Sequence, residues 1–266
     1  MPRQPTFYVS HGGGPSFWID YPEPIGKDGF KGLERYLLGF ESVLPAPPQA
    51  YLVISAHWET PQVTLSTSPA PGMLYDYYGF PDIAYTLQHP APGAPDLAAG
   101  VRSLLADAGI NSAEDDERGF DHGVFVPMMK IDTAAQTPTL MMSLQQDLDP
   151  GFHIRLGQAL APLRDEGVVI IGSGSSWHNL RQYFQAGSGQ AEDFDNWLTE
   201  TAIASPQERN TRLLDWVQAP AARQAHPREE HLLPLMVAAG AAGEDRGRRD
   251  FHDLIANKPF SGYAFG

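Results

Sequence analysis

Tyr51-Leu52-Val53-Ile54-Ser55 runs directly into Ala56-His57-Trp58. A continuous apolar run of this length, rich in β-branched and aromatic residues, reads as a strand buried on both faces, with the polar residue after it at the strand's carboxyl end. Three further runs end in the same way. Phe7-Tyr8-Val9-Ser10 leads into His11-Gly12-Gly13-Gly14, Thr139-Leu140-Met141-Met142 into Ser143, and Val168-Val169-Ile170-Ile171 into Gly172-Ser173-Gly174. Helical patterns lie among them at about residues 29–42, 95–108, 152–166 and 194–204, and a second helix pair follows Pro206. The alternation predicts one α/β domain over residues 1–266, with a central, mostly parallel sheet flanked by helices on both faces. Ligands of such sheets bind outside the carboxyl ends of the strands, where His11 and His57 fall.

Composition narrows the function. Hydrophobic residues make up 42% and charged residues 19% of the 266, enough apolar material for a buried core. Eighteen Lys and Arg against 32 Asp and Glu give a net charge of -14, which repels a phosphate backbone; nucleic acid is not an expected partner. Cysteine is absent, so disulfides, zinc-thiolate sites and thiol nucleophiles are excluded, and any metal must be held by His and carboxylate. The start of the chain lacks the charged flank and apolar run of a signal peptide, and no stretch approaches the length of a membrane span. A cytoplasmic enzyme is expected.

Nine histidines are the main candidates for chemistry. A residue just past a buried strand is held rigidly and faces the crevice, which favours His11 and His57 as neutral nitrogen ligands of a divalent metal. No Lys follows Gly12-Gly13-Gly14 in the P-loop pattern, so a phosphate cradle is a poor reading of that turn. His178 follows the most apolar strand in Gly172-Ser173-Gly174-Ser175-Ser176-Trp177-His178, which does not fit a Gly-x-Ser-x-Gly serine nucleophile. His122 lies in Gly119-Phe120-Asp121-His122-Gly123, where Asp121 either orients it or caps the next helix. Pro227 is placed to begin a helix with acids in its first turn, setting His231 early in that helix and His226 near the surface. Residues 61–95 form a Pro-, Gly- and Tyr-rich segment, either a wall over a pocket or a packed surface loop. Residues 240–250 read as a solvated charged turn.

Taken in order, Ser10-His11-Gly12-Gly13-Gly14-Pro15, Ser55-Ala56-His57-Trp58, Tyr85 with Pro90-Ala91-Pro92-Gly93, Gly119-Phe120-Asp121-His122-Gly123, His178-Asn179-Leu180 and Glu230-His231-Leu232-Leu233-Pro234-Leu235 resemble the class III extradiol ring-cleavage dioxygenases, the LigB-like superfamily, and especially the 4,5-DOPA dioxygenase branch. The resemblance spans nearly the whole chain. It implies a mononuclear metal, with Fe(II) as the working ion, and O2-dependent opening of a catechol ring. His11 and His57 match the family's two ligand histidines. His231 stands where the heterodimeric enzymes place a glutamate. The resemblance gives His178 the role of base and His122 that of a second pocket histidine, and leaves open whether His178 also ligates. An all-nitrogen donor set also suits Zn(II). A zinc hydrolase and a non-enzymatic binding protein like the Memo family are the rival expectations. Arg118, Arg181 and the aromatic loop from Tyr75 to Tyr85 are candidates for recognising a substrate carboxylate or ring, and a homodimer would be unsurprising.

Overall fold

The computed structural model describes residues 1–182 and 189–266. In chain order the elements are β1 (Thr6–Ser10), α1 (Lys31–Leu38), β2 (Ala50–Thr60), β3 (Val63–Ser66), α2 (Pro95–Asp107), β4 (Ser112–Asp115), α3 (His122–Ile131), β5 (Thr139–Gln145), α4 (Pro150–Leu160), β6 (Val168–Gly174), α5 (Gly189–Ile203), α6 (Pro206–Leu214), α7 (Ala222–Ala225), α8 (Leu233–Ala242), β7 (Gly247–Ile255) and β8 (Lys258–Phe265). The strands form one eight-stranded sheet in the order β4-β3-β5-β2-β6-β1-β8-β7. Its centre, β5-β2-β6-β1, is parallel, and these are the four apolar runs of the sequence. Antiparallel pairings occur outside it, between β1 and β8, β7 and β8, and β3 and β5.

Helices cover both faces, as the alternating side chains of β6 show. Gly172 and Gly174 face α8 and the turn before it: a Cβ on Gly172 would lie 2.2 Å from the Pro234 carbonyl oxygen, and one on Gly174 2.1 Å from that of His231. Only glycine lets this backbone come so close. Between them Ser173 points to the opposite face, where its hydroxyl bonds the Gly123 carbonyl of α3. Helix α8 is buried along its whole length, Leu233 to Ala242. It therefore belongs to the core, whereas α1 buries only Leu33 and Leu37.

Three expectations at the C-terminal end are corrected. The last long helix begins at Leu233 with Pro234 in its first turn, so Pro227 does not start it and His231 precedes it. Residues 240–250 hold the end of α8 and the start of β7 rather than a free turn. His226 is fully buried, with Nε2 3.0 Å from the Ser176 carbonyl oxygen. No described helix is long and apolar enough to cross a membrane.

Candidate active site

His11 leaves β1 with its amide still bonded to the Gly174 carbonyl at 3.2 Å, so the sheet fixes its backbone. Gly12 follows at φ +79°, a left-handed conformation that turns the chain away. His57 lies inside β2 rather than past its end. Ile54 faces Met142 and Glu59 faces Leu144 on β5, so β2 advances five residues while β5 advances two. This bulge re-aims the His57 side chain out of the pleat. His231 sits in the turn before α8, its carbonyl held by the Tyr8 hydroxyl at 2.8 Å and the Ser175 amide at 3.1 Å.

The three imidazoles converge. His57 Nε2 lies 3.2 Å from His11 Nε2 and 3.2 Å from His231 Nε2. A metal about 2.0–2.1 Å from each nitrogen puts neighbouring ligands roughly 2.8–3.4 Å apart, so these separations fit a shared ion. Burial and the surrounding histidines push the pKa of His11 and His231 well below the ordinary imidazole value. Burial, with His122 adding to it, lowers that of His57 to about 3. The rings are therefore neutral near pH 7, the form that offers a lone pair to a cation.

A carboxylate lies behind two of these rings, and that of Glu230 bonds one directly. His231 Nδ1 donates to Glu230 Oε1 at 3.0 Å, leaving Nε2 as the free lone pair. Asp76 Oδ2 is 3.6 Å from His57 Nδ1, and its Oδ1 takes His122 Nδ1 at 2.7 Å and the His122 amide at 3.0 Å. Although burial opposes it, the hydrogen bond from His122 helps hold the Asp76 carboxyl down at about 2, so it stays ionised. Asp121 occupies the cap position of α3, but its side chain accepts from Ser55 and Arg118 and does not orient His122.

His178 stands apart from the convergent trio. Its ring stacks on that of His231 with centroids 3.3 Å apart, and its Nδ1 lies 3.2 Å from Glu230 Oε1. His11, His57 and His231 form one potential metal-holding set, whereas His178 groups with Glu230 and His231. All five histidines border a cavity of about 340 Å³ whose other walls are mainly Gly12 to Gly14, Tyr21, Ile25, Phe30, Phe80, Trp177 and Leu180. That volume is typical of a small-molecule site.

The structure thus brings together every histidine singled out in the sequence: His11, His57, His122, His178 and His231. The aromatic segment contributes Phe80 to the cavity, and Tyr75 and Tyr77 pack on Phe125 behind it. Tyr78, by contrast, is 91% exposed. Arg118 is corrected as a substrate reader, since it lies over Trp58 and bonds the His57 carbonyl and Asp121. Asp76 was missed. Its only signal was an acid flanked by tyrosines in a segment without periodicity.

A family model described as the catalytic LigB subunit of aromatic ring-opening dioxygenase matches residues 6–264. The chain belongs to this family. It is an extradiol ring-cleaving dioxygenase that acts with incorporation of O2. Enzymes of the family are metal-dependent, and the imidazole cluster is a possible site for the ion. Among its relatives, a 4,5-DOPA dioxygenase extradiol from Beta vulgaris is 41% identical over 252 residues, covering 93% of this chain and 90% of that protein. The enzyme of the same name from Portulaca grandiflora is 37% identical, covering 90% and 86%. An uncharacterized protein from Escherichia coli K12 superposes with a TM-score of 0.79 at 26% identity, covering 99% of this chain and 100% of that one.

Proposed function

We propose that His11, His57 and His231 hold a single Fe(II), that His178 is the base and His122 the pocket donor, and that a catechol is the substrate. The observation that carries this reading is the convergence of three neutral imidazole nitrogens, two pairs of them 3.2 Å apart, at the floor of a cavity large enough for a substituted ring. Fe(II) held by His11, His57 and His231 would acidify the catechol hydroxyls and supply the redox chemistry that O2 requires.

The remaining work falls to side chains of this chain. His178 stands over His231 with Nδ1 committed to Glu230, which leaves Nε2 to take a hydroxyl proton, while the Glu230 carboxylate offsets the charge that forms. His122 has Nδ1 committed to Asp76, which leaves Nε2 as its partner for the substrate's oxygens. Phe30, Phe80 and Trp177 exclude water from the ring's flank. Zn(II) suits the same nitrogen set but has no redox chemistry.

The test is anaerobic reconstitution with Fe(II) or Zn(II), followed by a catechol panel under air. Fe-loaded protein is expected to consume O2 and form the yellow ring-opened semialdehyde, and Zn-loaded protein to do neither. No turnover of any catechol by Fe-loaded protein overturns the reading.

A further inference from the structure

Resting on the dioxygenase reading above, we infer that this site selects catechols whose ring substituent is apolar, an alkyl or aryl group, over those carrying a carboxylate or an amino acid. The inference comes from the wall of the cavity away from the histidines. Tyr21 packs edge-on against Phe30 at 5.2 Å and Phe80 at 6.1 Å, which makes a continuous aromatic surface. Ile25 and Trp177 extend it, and Leu180, 67% exposed, forms its outer lip.

No described Lys, Arg, Asp or Glu lines this cavity. Its hydroxyls are already engaged: that of Tyr21 donates to the Gly13 carbonyl and that of Ser175 to the Trp177 carbonyl. Trp177 Nε1 has no partner, but it is a neutral donor closed off from solvent. A carboxylate drawn in beside the ring would lose its water and find no counter-charge in the wall, whereas a methylene chain would gain by burial.

The outer recess does not reverse this preference. Arg181 and Arg228 line it together with Glu230. Both nitrogens of the Arg228 fork bond the Glu59 carboxylate, and Arg181 likewise has a partner. An incoming anion therefore meets arginines already in use and carboxylates beside them. The net charge of -14 acts in the same sense at longer range.

The experiment uses Fe(II)-reconstituted full-length protein and compares kcat/KM for catechol, 4-methylcatechol, 4-propylcatechol, 3-(3,4-dihydroxyphenyl)propanoate and L-DOPA. The expected result is a rise of about fourfold per added methylene along the alkyl series. The propanoate and L-DOPA are expected at least tenfold below 4-propylcatechol. Either of them matching 4-propylcatechol overturns the selectivity and leaves the ring-opening reading intact; no turnover of all five overturns both. A second arm uses Leu180→Arg, which puts a cation at the exposed lip. It is expected to raise the propanoate-to-propylcatechol ratio at least tenfold, and an unchanged ratio overturns the placement of the substituent along this wall.

Discussion

Glu230 Oε1 lies 3.2 Å from His178 Nδ1, and the same oxygen accepts from His231 Nδ1 at 3.0 Å. One carboxylate thus sets the orientation of two stacked rings, one read as metal ligand and the other as base. Burial opposes ionisation of Glu230, yet contact with His178 keeps its carboxyl below the usual range. Glu230→Gln keeps an acceptor oxygen but removes the charge that offsets a proton on His178. The expected outcome is a fall in kcat of about 10–100-fold with metal content retained, read by O2 uptake and metal analysis.

His178 and His231 should separate cleanly despite their stacking. His231 is one of the three convergent nitrogens, whereas His178 is grouped with Glu230 and His231 but not with His11 or His57. His178→Ala is expected to abolish turnover while sparing metal, and His231→Ala to lose both. Loss of metal from His178→Ala as well would make His178 a ligand.

Asp76 reaches the site from the aromatic segment and holds His122 at both Nδ1 and the backbone amide. If its role is to point His122 Nε2 at the substrate, Asp76→Asn and His122→Ala disable the same function. Each is expected to lower kcat/KM about 10–100-fold, and the double variant little further, because partners in one hydrogen-bonded unit are not additive. Steady-state kinetics on the four proteins checks this. Fully additive losses would separate the two residues.

Legibility followed burial. β1, β2, β5 and β6 could be read because a parallel strand covered on both faces is written as an unbroken apolar run, and His11 and His178 because each follows such a run. His57 was found for the same reason, although a bulge inside β2, not the strand's end, aims it. Edge strand β7 was unreadable. It carries Arg248, Arg249, His252 and Asp253 with only Phe251 and Ile255 buried, so the segment looks like a charged turn. Neither could the start of α8 be placed, since both Pro227 and Pro234 are acceptable first-turn prolines and only packing against Gly172 and Gly174 decides between them. Asp76 and His122 are 46 residues apart, and no local period connects them.

The buried histidines also set an acid limit on the metal-free protein. Burial, with neighbouring histidines adding to it, lowers His226 and His57 to about 3, and burial alone lowers His89 to about 4 against the opposing charge of Asp132. An unfolded chain binds these protons near pH 6.5, so each ring stabilises the fold fully above that pH. The contribution is lost as pH falls from 6.5 towards 4 and then 3, at roughly tenfold in the unfolding equilibrium per pH unit for each ring. The urea midpoint of metal-free protein is therefore expected to be flat with respect to these rings from pH 8 to 7 and to fall steeply below 6. His226→Gln keeps a donor for the Ser176 carbonyl but removes the titrating ring. The variant should show a shallower acid slope, by about that tenfold factor per pH unit, and an unchanged slope would rule out His226 as a source of the acid limit.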